Sequence, residues 1–209
     1  MIVMPSDFKT FECGVMFGKH PDRMGSLHNV DRPKIPFTER WAVDNGVYGA
    51  VSNEREWEEK PFYKFLDRFA NKKPMWAVVP DALGNRDLTL ERWEIHAPRV
   101  AEYGVPLAFA VQDGMTPADV PSNADLVFVG GTTKWKWRNL RTWTSRFRTH
   151  VGRVNSYRML WMADKAGAES CDGTGWFRGG EERYSQLYLY LEQSTEGGHP
   201  QMELIADEG

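Results

Sequence analysis

The feature that most constrains the fold of this chain is a series of short apolar runs separated by longer amphipathic segments. Residues 77–79 and 127–129 are apolar at every position, as strands are when helices cover both faces of a parallel sheet. Strands that alternate with helical segments are typical of βα units. The pattern predicts an α/β protein, a compact (β/α)8 TIM-like barrel that is either complete or irregular.

Seven strands are expected, at residues 11–17, 40–44, 75–80, 107–112, 125–130, 150–154 and 168–172. Helices are expected at residues 54–70, 87–102, 135–148, 156–166 and 181–193, the second of them capped by Asp87. The eighth strand is expected near residues 1–4 or at the C-terminus, and residues 18–39 are expected to form a loop. A single catalytic domain is predicted over residues 1–194, followed by a flexible tail over residues 195–209.

The charge distribution is uneven, although the formal net charge of the 209 residues is only −3. No acidic residue occurs between Asp125 and Asp164. That stretch carries eight cations: Lys134, Lys136, Arg138, Arg141, Arg146, Arg148, Arg153 and Arg158. A local basic region can attract a polyanion without making the whole surface adhesive.

The cysteine count excludes two site classes. Cys13 and Cys171 are the only cysteines, so neither a disulfide framework nor a four-cysteine zinc site is expected. The first residues lack the basic and apolar regions of a signal peptide, and no apolar run approaches the length of a membrane span. A cytoplasmic protein is therefore expected.

Polar side chains followed by turn-forming residues end several of the expected strands. Asp44, Asp81, Gln112 and the pair Gly130–Gly131 occupy such positions. In a (β/α) barrel the carboxyl ends of the strands form the active-site face. A turn or a helix cap would explain any one of these residues alone, whereas four together favour a site. Asp172, before Gly173, is either a further turn residue or a carboxylate nucleophile.

The motifs occur in a fixed order along the chain. They are residues 44–48 (Asp-Asn-Gly-Val-Tyr), 79–81 (Val-Pro-Asp), 110–114 (Ala-Val-Gln-Asp-Gly), 128–133 (Phe-Val-Gly-Gly-Thr-Thr), 152–156 (Gly-Arg-Val-Asn-Ser) and 170–174 (Ser-Cys-Asp-Gly-Thr). This set resembles the tRNA-guanine transglycosylase superfamily. It is most similar to the phage-type branch that inserts 7-deazaguanine derivatives into DNA, and it spans about two-thirds of the chain.

The resemblance implies separate roles for the matched residues. Asp172 would attack the anomeric carbon of the nucleotide and form a covalent intermediate, and Asp44 would act as general acid and base. Asp81 would pair with the donor edge of guanine, which adenine cannot supply.

The remaining matches concern the base itself. Gln112 and the backbone at Gly130 and Gly131 would hold the base carbonyl, and Tyr48 would stack near the base. No cofactor is implied, because a covalent intermediate conserves the glycosidic bond energy.

One departure from the superfamily bears on the substrate. The tRNA enzymes carry a zinc subdomain built from three cysteines and a histidine, which this chain cannot supply. The implied partners are therefore DNA, with tRNA as the alternative, and a free base such as 7-cyano-7-deazaguanine. A phage-encoded enzyme would act in the cytoplasm of a bacterial host.

The basic stretch directly after Gly131 has two interpretations. Lys134, Trp135, Lys136 and Arg138, together with Arg153, are predicted to contact nucleic acid through phosphates and base stacking. The alternative is a solvated helix face with Trp135 and Trp143 in the core. A structural role is equally open for Arg153 and Asn155, and His20 and His28 are expected to be exposed or to pack within loops.

Other functions remain open from the residues alone. A tRNA-acting relative without the zinc domain is the nearest, and a non-catalytic nucleic-acid-binding module is a second. A third is a metal-dependent hydrolase that uses Asp44, Asp81 and Asp172, against which stands the expected lack of histidine at the strand ends.

Overall fold

A computed structural model of the chain describes residues 1–6, 11–31, 33–36 and 38–195. Its strands are β1 (Ile2–Pro5), β2 (Ser26–Asn29), β3 (Trp41–Asp44), β4 (Ala77–Val78), β5 (Leu107–Val111), β6 (Leu126–Val129), β7 (Thr149–Val151) and β8 (Ser170–Gly173). All pairings are parallel, in the spatial order β1-β8-β7-β6-β5-β4-β3-β2.

The two outer strands of this order approach each other and nearly close the sheet. The Val3 N–H donates to Arg23 O at 2.8 Å, and the Gly25 N–H donates to Val3 O at 2.9 Å. The fold is therefore the predicted TIM-like (β/α)8 barrel.

In the described residues, α-helices lie between all successive strands except β2 and β3, and β5 and β6. They are α1 (Phe11–Lys19), α2 (Val47–Ser52), α3 (Glu59–Phe69), α4 (Arg86–Ala101), α5 (Thr133–Thr144), α6 (Tyr157–Lys165) and α7 (Gly180–Thr195). Three of them begin at a side-chain cap, because Asn85, Thr132 and Ser156 each accept a hydrogen bond from the backbone N–H three residues later. The predicted cap Asp87 is therefore wrong: Asn85 caps α4.

Alternate residues of the strands fill two different layers. On β5, Ala108 and Ala110 face the barrel interior beside Trp76. Leu107, Phe109 and Val111 pack instead in the layer that contains the helix residues. Alanines leave space inside the barrel for the indole of Trp76, so the interior is a packed core, and a cavity lies at one end of it.

Two expectations about the first forty residues are wrong. Residues 11–17 form part of α1, a helix in which Cys13 and Met16, three positions apart, are buried. The expected loop over residues 18–39 contains β2, whose buried positions include the polar residues Ser26 and His28. The expected strand near residues 1–4 is confirmed as β1, which brings the count to eight.

The C-terminal helix extends to Thr195, and residues 196–209, which make up most of the predicted tail, lie outside the described residues. In the described part of the chain no helix is long and apolar enough to cross a membrane.

Candidate active site at the carboxyl ends of the strands

One cavity at the carboxyl ends of the strands collects the predicted catalytic and base-binding residues. It contains about 650 Å³ of empty space, its open mouth included. The predicted residues that line it are Asp44, Tyr48, Asp81, Gln112, Gly130, Gly131, Arg153 and Asp172. Leu27, Asn45, Val78, Leu83, Ala110, Val111 and Phe128 complete the wall.

Asp172, on β8, is only 7% exposed. Its Oδ1 accepts a hydrogen bond from the Arg153 N–H at 3.2 Å and lies 3.2 Å from His150 Nε2. His150 Nδ1 is 2.8 Å from the Ser170 hydroxyl. Both histidine contacts are satisfied when the proton is on Nε2, which then donates to Asp172 while Ser170 donates to Nδ1.

The second carboxylate oxygen of Asp172, Oδ2, receives no hydrogen bond from the residues that the structure describes. The His150 ring is held by stacking on Phe128, with ring centres 4.9 Å apart, and by an edge contact with Trp76 at 4.7 Å. One oxygen of Asp172 is therefore fixed, and the other is available to form a bond.

The expectation that no histidine accompanies the strand-end carboxylates is wrong. His150 lies on β7 directly opposite Ser170 of β8 in the strand register. That register is a tertiary feature and cannot be obtained from spacing along the chain. The expectation for His28 is also wrong, because this residue is 2% exposed and lies on a strand.

Asp44 ends β3 and has weaker hydrogen bonds than Asp172. Its Oδ1 accepts from the Gly46 N–H at 3.3 Å, and its Oδ2 accepts from Asn29 Nδ2 at 3.4 Å. Burial, together with the neighbouring carboxylates of Asp172 and Asp81, raises the pKa of Asp44 to about 7. This carboxyl group can therefore both give and take a proton near neutral pH.

Asp81 is held by two side-chain amides. Asn45 Nδ2 donates to its Oδ1 at 2.9 Å, and Gln112 Nε2 donates to its Oδ2 at 3.1 Å. Burial raises the pKa of Asp81. Each oxygen keeps a lone pair for a ligand, and the two amides fix the plane in which a ligand would be recognised.

Gln112 is predicted to hold the base carbonyl, but its amide already has several protein partners. Nε2 lies 2.8 Å from Ala82 O and 3.1 Å from Thr89 Oγ1, and Oε1 accepts from the Gly84 N–H. Gln112 lines the cavity, and its hydrogen bonds hold the loop that carries Asp81.

Asn45 lines the cavity, although its sequence pattern does not single it out. It is 2% exposed, and besides its bond to Asp81 its Nδ2 donates to Val79 O at 3.1 Å. Its Oδ1 accepts from the Val47 N–H at 2.9 Å. Its place between Asp44 and Gly46 made it resemble an ordinary turn residue.

The turn at Gly130–Gly131 requires glycine at its second position. Gly131 has φ +69°, and a Cβ there would lie 2.6 Å from Asp113 Oδ2 and 2.7 Å from Trp135 Cε3. Asp113 accepts from both the N–H and the hydroxyl of Thr132, each at 2.6 Å. Glycine is therefore needed here both for the backbone conformation and for the close packing against Asp113 and Trp135.

The mouth of the cavity is bordered by Tyr48 and Arg153. Tyr48 is 48% exposed, and the Arg153 guanidinium lies 5.3 Å from the centre of its ring. The guanidinium also donates to Gly131 O. An aromatic face and a cation thus lie at the entrance.

The predicted nucleic-acid-binding stretch is divided between surface and core. Lys134 and Arg138 are exposed on α5, whereas Trp135 is partly buried against the core. The prediction that Lys136 contacts nucleic acid is wrong, because this residue is 1% exposed and cannot reach a phosphate at the surface. The helical phase explains this, because Lys136 shares the buried face of α5 with Leu140 and Trp143.

Among the described residues, no three histidine, cysteine, aspartate or glutamate side chains are arranged so that they could hold a metal ion. Comparisons with protein-family models and with curated proteins found no match to this chain. The relation to the transglycosylase superfamily therefore stays a prediction.

Proposed function

We propose that this protein exchanges guanine in DNA for a 7-deazaguanine derivative through a covalent aspartyl–nucleotide intermediate. The observation that carries the proposal is the convergence of Asp44, Asp81 and Asp172 in one cavity at the carboxyl ends of the barrel strands. The three carboxyl groups have different hydrogen-bond partners, as the three roles require.

The proposed recognition of guanine uses Asp81. The guanine edge presents an N–H and an amino group side by side, and a carboxylate accepts both. The bonds from Asn45 and Gln112 hold the Asp81 carboxylate in a fixed plane. Adenine cannot supply the same pair of donors, so this geometry favours guanine and its 7-deaza derivatives.

The proposed exchange has two steps. Asp172 Oδ2 attacks the anomeric carbon, the glycosidic bond breaks, and guanine leaves with the electron pair on its ring nitrogen, which takes a proton from Asp44. The incoming base then gives a proton to Asp44, and its nitrogen attacks the same carbon and releases the Asp172 carboxylate. Atoms and charge balance over the cycle, and a pKa of about 7 suits Asp44 to both transfers.

A nucleic-acid substrate is supported by one cation at the mouth of the cavity and by two exposed cations on α5. Arg153 lies at the mouth, and Lys134 and Arg138 are exposed on the helix that follows Gly131. A base in a duplex would have to be extruded before its anomeric carbon could be reached. The choice of DNA over tRNA rests on the resemblance and on the cysteine count, since the chain has only two cysteines.

The decisive experiment is to incubate the protein with labelled guanine, or with 7-cyano-7-deazaguanine, and either duplex DNA, single-stranded DNA or tRNA. We expect incorporation into DNA and a covalent protein–DNA adduct that survives denaturation, with its mass located at Asp172. Asp172→Asn should still bind DNA and form no adduct.

Three results would count against the proposal. Exchange in tRNA alone would replace DNA as the substrate. Binding of DNA by the wild type without exchange of any base would favour a non-catalytic binding module. An adduct that persists in Asp172→Asn would exclude this residue as the nucleophile.

A further inference from the structure

Lys136 is a buried cation without a role in the proposed reaction. Its side chain extends from α5 into the layer between helix and sheet, and Nζ donates to Gly152 O. Burial, together with the nearby Arg153, lowers the pKa of Lys136 to about 8, although Asp172 acts in the opposite direction. Burying a charge is costly, and an apolar side chain of the same length would fill the same space.

The acceptor of Lys136 connects it to Asp172. The carbonyl of Gly152 and the N–H of Arg153 belong to the same peptide group, and that N–H donates to Asp172 Oδ1. A hydrogen bond accepted by the carbonyl polarises the peptide and strengthens the bond donated by its N–H. The ammonium, the peptide and the carboxylate thus form one continuous chain.

The backbone of this peptide adopts an unusual conformation. Arg153 has φ +59°, in the left-handed region that side chains other than glycine rarely adopt. Neighbouring backbone bonds hold the segment on both sides, from Gly152 N to Val129 O at 3.1 Å and from Val154 N to Asp172 O at 2.6 Å. The strained peptide is therefore held in the orientation that directs its N–H at Asp172.

We propose that Lys136 is a positioning residue for Asp172, acting through the Gly152–Arg153 peptide to hold and stabilise the charged carboxylate. The inference rests on the proposed function. Asp172 loses its charge when the covalent bond forms and regains it when the incoming base displaces it. Loss of the ammonium should therefore slow the second step more than the first.

The test compares Lys136→Met with the wild type in single-turnover reactions on DNA. Methionine retains the apolar stem without the charge. We expect release of Asp172 from the adduct to slow by roughly 10-fold, the size of one lost charge-assisted hydrogen bond, and the trapped adduct to increase. Lys64→Met, at an exposed lysine of α3, is the matched control and should behave as the wild type.

Lys136→Gln retains a donor without the charge and should give an intermediate release rate. If Lys136→Met does not fold, this second variant provides the same comparison. An unchanged ratio of adduct formation to release in a folded variant would overturn the inference, because a residue that only fills space would leave the ratio as it is.

A second measurement does not depend on catalysis. The amide proton resonance of Arg153 should move upfield in Lys136→Met, because its hydrogen bond to Asp172 weakens, and should not move in Lys64→Met. An unmoved resonance would refute the proposed chain of hydrogen bonds. If the wild type forms no adduct with any nucleic acid, the proposed function fails, and the resonance still decides whether Lys136 acts on Asp172.

Discussion

Asp44 and Asp172 lie on different strands at the same cavity, and their surroundings differ in charge and in hydrogen bonding. Asp172 accepts from a backbone N–H, contacts His150 and lies near the buried Lys136. Asp44 has two long hydrogen bonds, and the charges that act on it are other carboxylates. Donors and a cation favour the ionised form of a carboxyl group, whereas burial and like charges favour the protonated form.

Under the proposed function, this difference would let two identical side chains perform different chemistry in one cavity. A nucleophile must be ionised and held in place, and a general acid must carry a proton near the working pH. Both residues are aspartates, so the side chain itself cannot account for two different roles. The difference must come from the neighbouring groups that the barrel places around each carboxyl group.

The largest expected effect comes from removing the nucleophile. Asp172→Asn should lower the rate of base exchange by at least about 10⁴-fold and abolish the covalent adduct, because an amide oxygen does not displace a base. Mass spectrometry of the adduct and the rate of base exchange check this prediction. Asp87→Asn, an exposed carboxylate on α4, is the control and should retain the wild-type rate.

Asp44→Asn should reduce exchange by about 10²- to 10⁴-fold, the contribution of a positioned acid or base. The wild-type rate should be highest near pH 7, because Asp44 must be protonated for the first step and ionised for the second. The variant should lose this maximum. A pH–rate profile that keeps its shape in Asp44→Asn would assign the proton transfers to another group.

The same variant tests the electrostatic argument without catalysis. The pKa of Asp44 is raised above its unfolded value, so the folded state binds more protons than the unfolded state between about pH 4 and 7, and wild-type stability falls as pH rises through this window. The variant Asp44→Asn lacks the titrating group, so this decrease of stability with rising pH should be absent. The Tm of the variant minus that of the wild type should therefore increase from about pH 4 to about pH 8.

Asp44, Asp81 and Asp172 each lie at the end of an apolar run or before a glycine, and this pattern is visible in the sequence. The structure brings the three residues to one cavity. The same pattern predicts six of the eight strands, and residues 1–4 are one of the two places where a further strand is expected. The pattern does not predict β2, because two of its buried residues, Ser26 and His28, are polar and the strand therefore lacks an apolar run. Their side chains are hydrogen-bonded to each other at 3.0 Å.

The support around Asp172 could not be predicted in the same way. His150 reaches Asp172 only through the pairing of β7 with β8. Lys136 is different, because its spacing from Leu140 and Trp143 matches one face of a helix and could have indicated burial. Its charge favoured the surface interpretation instead.

Asp81→Asn extends the comparison to the third carboxylate. We expect kcat/KM for guanine exchange to fall by about 10²-fold, because an amide presents one acceptor where the guanine edge needs two. The covalent step itself should remain possible, so a long incubation should still give adduct. Loss of adduct at all times would show that Asp81 acts in the chemistry as well as in base recognition.

His150→Phe removes a neighbour from the Asp172 side. The aromatic contacts with Phe128 and Trp76 can persist, but the bond to Asp172 is lost, and the exchange rate should fall by about 10-fold. His150→Gln, which retains a donor, should recover part of the rate. A wild-type rate in His150→Phe together with a reduced rate in His150→Gln would indicate that only the shape of the ring matters.

Asn29→Ala removes the corresponding neighbour from the Asp44 side and should have the smallest effect. The bond from Asn29 Nδ2 to Asp44 is long, at 3.4 Å, and it stabilises the ionised form, so its loss should raise the pKa of Asp44. The protonated form then persists to higher pH, and the maximum of the pH–rate profile should move upward by a few tenths of a unit. Asn53→Ala, an exposed asparagine at the end of α2, should leave the maximum in place. A downward movement in Asn29→Ala would mean that the bond from Asn29 does not stabilise the ionised form of Asp44.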